Sequence, residues 1–398
     1  MSGTRSANHG SIRIGVALVS IMSTAPLVQH AVPALAPHLV REFDLNLVEL
    51  GTYSTLLFGM SALLAPLMGK VSDRVPTKVL VTLLFMFGAV GALMVSSASR
   101  FEIILLSALV TSVPMALAHP LTNQILVTNT VGRTRSVLLA VKHSGVKLAQ
   151  GAAGLFMAPF ATAFSWRAAF SLPAVLSVVA AFWVPRFVQQ LSRPEIDDAN
   201  RKRLRLPRPV WWLMAYSIFM ALAQSASSTY LAIYAFDQLD FTLTAAGLLT
   251  GVLGLAGAIS RVCWGVWVYR TNAAIWPLQA MAIGCIPATC CVIAAPYVGA
   301  PLLWFATLVL GVTTAIWNLA VTVIIFSLVP RAQTGRATGR VYFGFSFGMM
   351  IGPVLFGWMV DAVGSYTLPW TSVVGWQLAA LVTTIPLVRR MRRRAVSA

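Results

Sequence analysis

The sequence predicts an all-α integral membrane protein whose twelve transmembrane helices form two six-helix bundles. Of the 398 residues, 58% are hydrophobic and only 10% are charged, whereas a soluble domain carries roughly 25% charged residues. Apolar runs long enough to cross a bilayer, about 20 residues each, fill nearly the whole chain. The basic residues lie between these runs, in alternate intervals, which is the pattern that sets the orientation of membrane proteins.

The first predicted bundle, at 13–184, contains six of the apolar runs. A window of about 19 residues separates these runs from the polar intervals. The first run is too long for the apolar part of a secretory signal peptide, and no small-residue cleavage site follows it, so we predict a retained helix. The six predicted helices cover residues 13–37, 50–69, 79–98, 101–127, 137–160 and 167–184.

The second predicted bundle, at 210–388, contains six further runs. The longest polar interval, 185–209, separates the two bundles, and the segments 1–12 and 389–398 form polar tails. Glycine-rich runs at 247–257 and 344–357 predict close contacts between helices, because small residues let two backbones approach. The six predicted helices cover residues 210–236, 243–268, 273–295, 302–329, 341–360 and 369–388.

The distribution of basic residues predicts the orientation. One side of the membrane receives only Arg41, Arg100 and Arg167 from the loops, together with most acids outside the central loop. Because cytoplasmic loops carry the excess of basic residues, we predict that both termini and the central loop are cytoplasmic. The same distribution accounts for the net charge of +18 without a nucleic-acid partner. The basic clusters of the other side lie at 70–78, 133–135, 193–208, 331–340 and 389–394.

Two repeated motifs carry a family resemblance. Residues 69–78 read GKVSDRVPTK, which resembles the G-x-x-x-D-R-x-G-x-K loop of the major facilitator superfamily, with Pro76 in place of the second glycine. Gly265 and Arg270 stand at the matching place in the second half, where Tyr269 replaces the acid. A further repeat links Gly132-Arg133 with Gly335-Arg336, because a glycine follows twelve residues after each arginine, at Gly145 and Gly348.

The resemblance covers the whole chain and implies a secondary transporter. It implies that the two six-helix halves are related by pseudo-symmetry and rock around a site near the membrane midplane. It implies a bacterial inner-membrane protein that works as a monomer, with the bilayer and a small molecule as its partners. The fifth helix resembles a Lys-x-Ser-Gly segment of cyanate-permease-like proteins, whereas the eighth helix resembles that of monocarboxylate transporters. Because the two resemblances point to different subfamilies, the subfamily stays open. We predict no enzymatic activity, cofactor or metal ion, because the apolar helices contain no catalytic or metal-binding constellation.

The resemblance also implies a gate at the cytoplasmic ends of the helices. Asp73 near a helix N-terminus gains from the helix dipole, and an arginine can pair with its carboxylate. The alternative is that these charges only set the topology. The predicted gating residues are Gly69, Asp73, Arg74, Lys78, Arg133 and Arg336.

The apolar helices contain cationic side chains but no acid, since all eleven carboxylates fall in loops or at helix ends. Many proton-coupled members of the family that this chain resembles use a buried acid as the proton carrier. Here any proton coupling would fall on His30, His119 or His143, because histidine titrates near physiological pH. Transport without coupling stays open.

Lys147 is the most informative of the cations because it lies near the middle of the fifth helix, four residues from His143 on one face. An uncompensated lysine at that depth costs about 2.5–3.5 kcal/mol, so its ammonium must face water, the bundle interior or an anion. Arg261 lies one turn before the inner end of the eighth helix and suits carboxylate recognition. Lys142 is closer to the cytoplasm, and we expect its side chain to snorkel there.

The sequence therefore predicts a cationic cavity for a small organic anion, such as a carboxylate. Alternative roles remain open: His30 and His119 as hydrogen-bonded helix residues, and Arg261 as a snorkelling or gating residue. Alternative functions are a multidrug or metabolite exporter of the same fold and a non-transporting membrane sensor. The candidate substrate-binding residues are Lys147, Arg261, His30, His119, His143, Gln150, Gln224, Trp317 and Asn318.

Overall fold

The computed structural model of the protein describes residues 2–130, 132–188, 206–271, 275–314, 317–329 and 331–396. These segments are almost entirely helical. The predicted central loop, 185–209, lies mostly outside the described residues.

Eight α-helices form the first half, and a π-helical turn, Ala153–Met157, separates the sixth from the seventh. The third helix begins with a capping box, in which Asn46 accepts the N–H of Glu49 at 2.8 Å and Glu49 accepts that of Asn46 at 2.9 Å. The helices are α1 Ser2–Ala34, α2 Ala36–Phe43, α3 Leu47–Arg74, α4 Thr77–Ser96, α5 Phe101–Asn129, α6 Gly132–Ala152, α7 Ala158–Ala163 and α8 Trp166–Trp183.

Seven α-helices form the described second half. They are α9 Arg208–Leu239, α10 Leu243–Thr271, α11 Ile275–Val298, α12 Ala300–Thr314, α13 Trp317–Leu328, α14 Arg331–Val363 and α15 Thr367–Val396.

The predicted transmembrane helices coincide with helices of the structure. In the described part of the chain, nine helices are long and apolar enough to cross a bilayer. The other three predictions, the fifth, seventh and tenth, fall on α6–α7, α9 and α12–α13. The prediction of one continuous fifth α-helix was wrong, because the π-helical turn interrupts it. Helix α1 begins eleven residues before the predicted start at 13, and α15 runs eight residues past the predicted end at 388.

The helix ends that carry Asp44, Asp240 and Asp361 are called the outer ends below, and those that carry residues 69–78 and Arg336 the inner ends. Asp44 and Asp240 occupy equivalent turns in the two halves. Both adopt the left-handed conformation, with φ of 51° and 52°, and the next helix begins three residues later in each case. Aspartate tolerates this conformation better than most residues, so the same turn chemistry recurs in both halves.

Each half has its own apolar core. In the first half, one buried cluster surrounds Phe170 near the outer ends and another surrounds Leu121 near the inner ends. In the second half, a single large cluster contains Tyr216 and Trp370, and it extends across the boundary to Leu47 and Leu50 of the first half. Large apolar side chains such as Leu63 and Phe156 are exposed on the surface, which suits contact with lipid.

The two halves meet closely along a glycine seam, which we define as Gly151, Gly154, Gly247, Gly251 and Gly254. A Cβ atom on Gly154 would lie 2.6 Å from the carbonyl oxygen of Gly247, and one on Gly254 would lie 2.6 Å from the carbonyl carbon of Gln150. The expected close contact at the first glycine-rich run is therefore confirmed, and it joins α10 to α6 and the π-helical turn.

An outer clamp, defined as Asp361, Tyr230, Leu47 and Val48, joins the halves at their outer ends. The Asp361 carboxylate accepts the backbone N–H groups of Leu47 at 3.3 Å and Val48 at 2.9 Å, at the N-terminus of α3. The Tyr230 hydroxyl lies 2.9 Å from the carbonyl oxygen of Leu47 and 2.6 Å from that of Pro353, and can donate to either. The outer ends are therefore closed in this structure.

A Cβ atom on Gly69 of α3 or on Gly339 of α14 would find no other atom within 4 Å. Open space therefore borders both helices at their inner ends.

Candidate functional site

Lys147 lies in α6 where the glycine seam ends, and only 2% of its surface is exposed. Its ammonium donates a hydrogen bond to the side-chain oxygen of Gln150 at 2.8 Å. The aliphatic part of the Lys147 side chain packs against Gly257 of α10. A Cβ atom on Gly257 would lie 3.0 Å from the Lys147 Cδ. The missing side chain at Gly257 therefore leaves the slot in which the lysine fits.

Gln150 is fully buried beside this ammonium. The bond from Lys147 orients its amide oxygen, and its Nε2 has no hydrogen-bond partner among the atoms that the structure describes. A buried donor without an acceptor costs about 1–3 kcal/mol. Lys147 and Gln150 together can thus offer N–H groups to an acceptor that carries negative charge.

Arg261 reaches this region from the second half. Only 8% of its surface is exposed, and its guanidinium donates to the backbone carbonyl of His143 on α6. The ring of His143 lies 5.8 Å from that of His119, which lies 5.8 Å from that of Tyr342. Arg261 therefore sits where α5, α6 and α14 meet.

His30 completes the cluster from α1. It is buried, its Nδ1 has no hydrogen-bond partner among the described atoms, and the charges of Lys147 and Arg261 both act on its ring. The structure thus brings together five predicted residues from four helices. We call Lys147, Arg261, His30, His119 and His143, together with Lys142, the cationic cluster.

The expectation that Lys142 snorkels to the cytoplasm was wrong. Its side chain is completely buried, and its ammonium donates to the side-chain oxygen of Asn123 on α5 at 2.5 Å. Asn123 itself is exposed. The ammonium binds this amide on the neighbouring helix α5, which lies nearer to it than the inner end of α6.

The acids lie away from the cationic cluster. Three of the eleven, Glu195, Asp197 and Asp198, fall outside the described residues, and the other eight lie at helix ends. Glu42 forms an ion pair of 2.6 Å with Arg167 near the outer ends and accepts the indole N–H of Trp166 at 2.5 Å. Burial acts to raise the pKa of Glu42, but the hydrogen bonds from Trp166 and Arg167 outweigh it, and the pKa falls below its ordinary value.

Three further predicted residues have different surroundings. Trp317 is buried and stacks on Phe345, with ring centroids 4.2 Å apart. Gln224 of α9 is half-buried, and its backbone carbonyl accepts the hydroxyl of Ser228. Asn318 lies in α13, but its side chain is outside the described residues.

The predicted gating residues lie at the inner ends. Asp73 and Arg74 are exposed in the last turn of α3, and Lys78 is exposed in the first turn of α4. Asp73 accepts a hydrogen bond of 2.8 Å from Gln124 Nε2 of α5, within the same half. Arg336 is exposed on α14, and the side chain of Arg133 in α6 is outside the described residues.

Sequence reasoning missed Asn123 and Tyr342 in this region, and it included Gly257 only as the end of a glycine-rich run, without its role beside Lys147. Asn123 follows His119 by four residues and so shares its face, which was a usable signal. Gly257 and Tyr342 had no comparable signal, because their role depends on which faces of α10 and α14 turn towards α6.

Comparisons with known proteins agree with this architecture. The family model described as Major Facilitator Superfamily matches residues 14–329. The chain is 23% identical over 348 residues to the fosmidomycin resistance protein of Escherichia coli, covering 84% of this chain and 83% of that protein. It is 21% identical over 286 residues to the hexuronate transporter of Bacillus subtilis, covering 64% and 65%. The crystal structure of the nucleoside transporter NupG superposes with a TM-score of 0.75 at 13% identity, covering 94% of this chain and 99% of that one.

Proposed function

The chain belongs to the major facilitator superfamily of multi-pass membrane transporters, which are not enzymes, and on that premise we propose that it carries a small organic anion. A carboxylate is the simplest such substrate. Lys147 is its main charge partner, and Arg261 clamps it from the opposite half.

The observation that carries this proposal is the burial of Lys147 beside Gln150. The ammonium has an amide oxygen as its hydrogen-bond partner, and the described acids lie at helix ends. A buried charge without a counter-charge is costly, and a mobile anion relieves that cost when it binds. The unpartnered Nε2 of Gln150 supplies a second hydrogen bond to the same anion.

The arrangement also suits alternating access. Lys147 belongs to the first half and Arg261 to the second, so one anion between them links the two halves. Rigid-body rocking about such a site exposes it to one side of the membrane at a time. The closed outer clamp corresponds to a state in which the site opens towards the inner ends.

Several finer features belong to the same proposal. The twelve helices all span the membrane, with the inner ends, both termini and the central loop in the cytoplasm of a bacterium, and the protein works as a monomer. The inner-end residues Gly69, Asp73, Arg74, Lys78, Arg133 and Arg336 form the second gate. Proton coupling, where present, uses His30, His119 or His143.

One relative supports an anionic substrate, because the Bacillus subtilis protein is named for hexuronate transport. Another supports a second candidate function, export of a drug or metabolite, because the Escherichia coli protein is named for fosmidomycin resistance. Both functions use the same cationic site and differ in the direction of transport.

A thermal-shift screen of the purified protein tests the proposal. Monocarboxylates, dicarboxylates, phosphate, neutral sugars and cationic drugs are compared at equal concentration. A ligand at one hundred times its Kd stabilises the folded protein by about 2.7 kcal/mol, which is readily measured. We expect anions to raise the Tm of the wild type and of the control Lys70→Met, an exposed lysine, but not that of Lys147→Met. Stabilisation by cationic drugs alone contradicts the proposal.

A further inference from the structure

Two positively charged sites lie along one face of α6. We call Lys147 with Gln150 the Lys147 pole, and Arg261 with His143 the Arg261 pole. His143 and Lys147 are four residues apart, which places them on the same face about 6 Å apart along the helix axis. The Arg261 guanidinium is bonded to the carbonyl of His143, whereas the Lys147 ammonium turns the other way, to Gln150. The two charges therefore occupy separate levels of the site instead of converging on one point.

Each pole includes a buried nitrogen that has no hydrogen-bond partner among the described atoms. At the Lys147 pole this atom is Nε2 of Gln150, and at the Arg261 pole it is Nδ1 of His143. Eight buried side-chain atoms in the described part of the chain lack a hydrogen-bond partner, and these two, which belong to residues seven positions or about two turns of α6 apart, lie beside Lys147 and Arg261. Buried polar atoms in native proteins are nearly always satisfied, so a ligand atom can bind at each of the two levels.

Lys142 adds a further positive charge near the Arg261 pole. The charges of Lys142 and Arg261 both act on the rings of His119 and His143. The ring of Tyr342, 5.8 Å from that of His119, adds a hydroxyl from the second half.

We propose that the substrate is a dianion whose two anionic groups, carboxylate or phosphate in type, are separated by a short chain. One group binds Lys147 and the amide of Gln150, and the other binds Arg261 beside His143. The planar guanidinium suits a bidentate contact with the second group. This inference rests on the anion transport proposed above and specifies its substrate class.

The first test uses the wild-type protein alone and compares ligands that differ in one charge. Isothermal titration measures the affinity for butyrate against succinate, and for valerate against glutarate. Each dicarboxylate is expected to bind at least about tenfold more tightly than the monocarboxylate of equal chain length, because a second charge-assisted bond is gained. Equal affinity within both pairs overturns the dianion inference and leaves anion transport intact. Absence of binding by any anion overturns the proposed function itself.

The second test assigns the poles. Arg261→Met should reduce the dicarboxylate-to-monocarboxylate affinity ratio towards one, and Arg261→Lys should keep part of it, because the charge remains without the bidentate geometry. Arg340→Met is the matched control, since Arg340 is exposed and lies over the ring of Trp211, and it should keep the wild-type ratio. A ratio that Arg261→Met leaves unchanged contradicts the second pole.

Discussion

Glu42 and Lys147 show how differently a charge is accommodated at the surface and in the interior of this protein. Glu42 is 37% exposed and has both a cation and an indole N–H as partners. Lys147 is 2% exposed and has a neutral amide as its hydrogen-bond partner. A charge that lacks an opposite charge at such depth is typical of a site that binds one.

The stability that Glu42 contributes should depend on pH. Its pKa is lowered in the folded protein, so its contribution is present above the unfolded pKa and is lost as the pH falls through the folded value. Because the ion pair is exposed, the contribution is only about 0.2–1 kcal/mol. We expect Glu42→Gln to lower the Tm in detergent at pH 7. The difference from wild type should shrink as the pH falls below about 4.3, the ordinary pKa of glutamate, and vanish below the folded pKa. An equal difference at pH 7 and pH 3 contradicts this assignment.

Lys142 gives a second prediction at the residue scale. Its buried ammonium is costly, and its partner Asn123 is exposed and can bond to water instead. Lys142→Met keeps the length of the side chain and removes the charge. It should therefore raise the Tm of the ligand-free protein, and the free energy of unfolding should increase by up to about 2.5–3.5 kcal/mol. Lys70→Met, an exposed lysine, serves as the control and should change stability by less than about 0.5 kcal/mol. A lower Tm for Lys142→Met shows that its bond to Asn123 outweighs the burial.

At the scale of elements, the glycine seam determines how closely the two halves approach. The seam continues into the π-helical turn, Ala153–Met157, which widens α6 at the point of contact. Such turns in α-helices are frequent at functional sites. Lys147 lies about one and a half turns before this segment, so the geometry of the seam also positions the aliphatic part of its side chain over Gly257.

A methyl group in the seam should separate the halves. On Gly154 it would meet the backbone of Gly251 and the carbonyl of Gly247, which cannot move as a flexible side chain can. Gly154→Ala should therefore reduce stability by about 1–3 kcal/mol, the usual cost of overpacking, and slow transport. Thermal unfolding and uptake into proteoliposomes measure the two effects.

Gly375→Ala is the matched control for the seam, because a Cβ atom on Gly375 of α15 has no neighbour within 4 Å. Alanine is the better helix former by about 1 kcal/mol, so this variant should be as stable as the wild type or slightly more stable. If Gly154→Ala behaves like Gly375→Ala, the seam does not limit the approach of the halves.

At the scale of the whole molecule, the outer clamp holds the transporter closed on one side. Asp361 caps the N-terminus of α3 across the boundary between the halves, where a carboxylate gains from both backbone N–H bonds and the helix dipole. Arg41 of the first half adds a cation–π contact, 4.3 Å from the ring of Phe236 in the second. Transport requires these contacts to break and re-form in each cycle.

Loss of the clamp should open the outer ends. Asp361 is exposed, so its capping bonds to α3 contribute about 0.5–2 kcal/mol, and 1.4 kcal/mol already changes a two-state ratio about tenfold. Spin labels are attached at Glu102→Cys and Tyr297→Cys in a protein whose four native cysteines are replaced by serine. Asp361→Ala should lengthen the distance between the two labels, measured by pulsed electron paramagnetic resonance. Ser365→Ala, near the same end, should keep the wild-type distances. An unchanged distribution in Asp361→Ala rules out the clamp as a conformational lock.

The fold followed from the sequence more fully than the site did. Hydropathy depends on composition along the chain, so the predicted helices coincide with helices of the structure, apart from the π-helical turn, the short helix α2 and the longer ends of α1 and α15. Depth along a helix is also a property of sequence, and it identified Lys147, His143 and Arg261 as interior charges. Helix rotation is not encoded so locally, which is why the sideways turn of Lys142 and the slot at Gly257 were not predicted. Both depend on the faces that α5 and α10 present to α6.

The central claim is that the Lys147 ammonium binds the anionic group of the substrate. The most direct measurement uses proteoliposomes that contain either the wild type or Lys147→Met. Uptake of the radiolabelled anion that best stabilises the protein is measured as a function of its concentration. A hydrogen bond to a charged group contributes about 1.5–3 kcal/mol, so kcat/KM should fall roughly 10- to 150-fold in Lys147→Met. Uptake by Lys147→Met with the kcat/KM of the wild type would contradict the account.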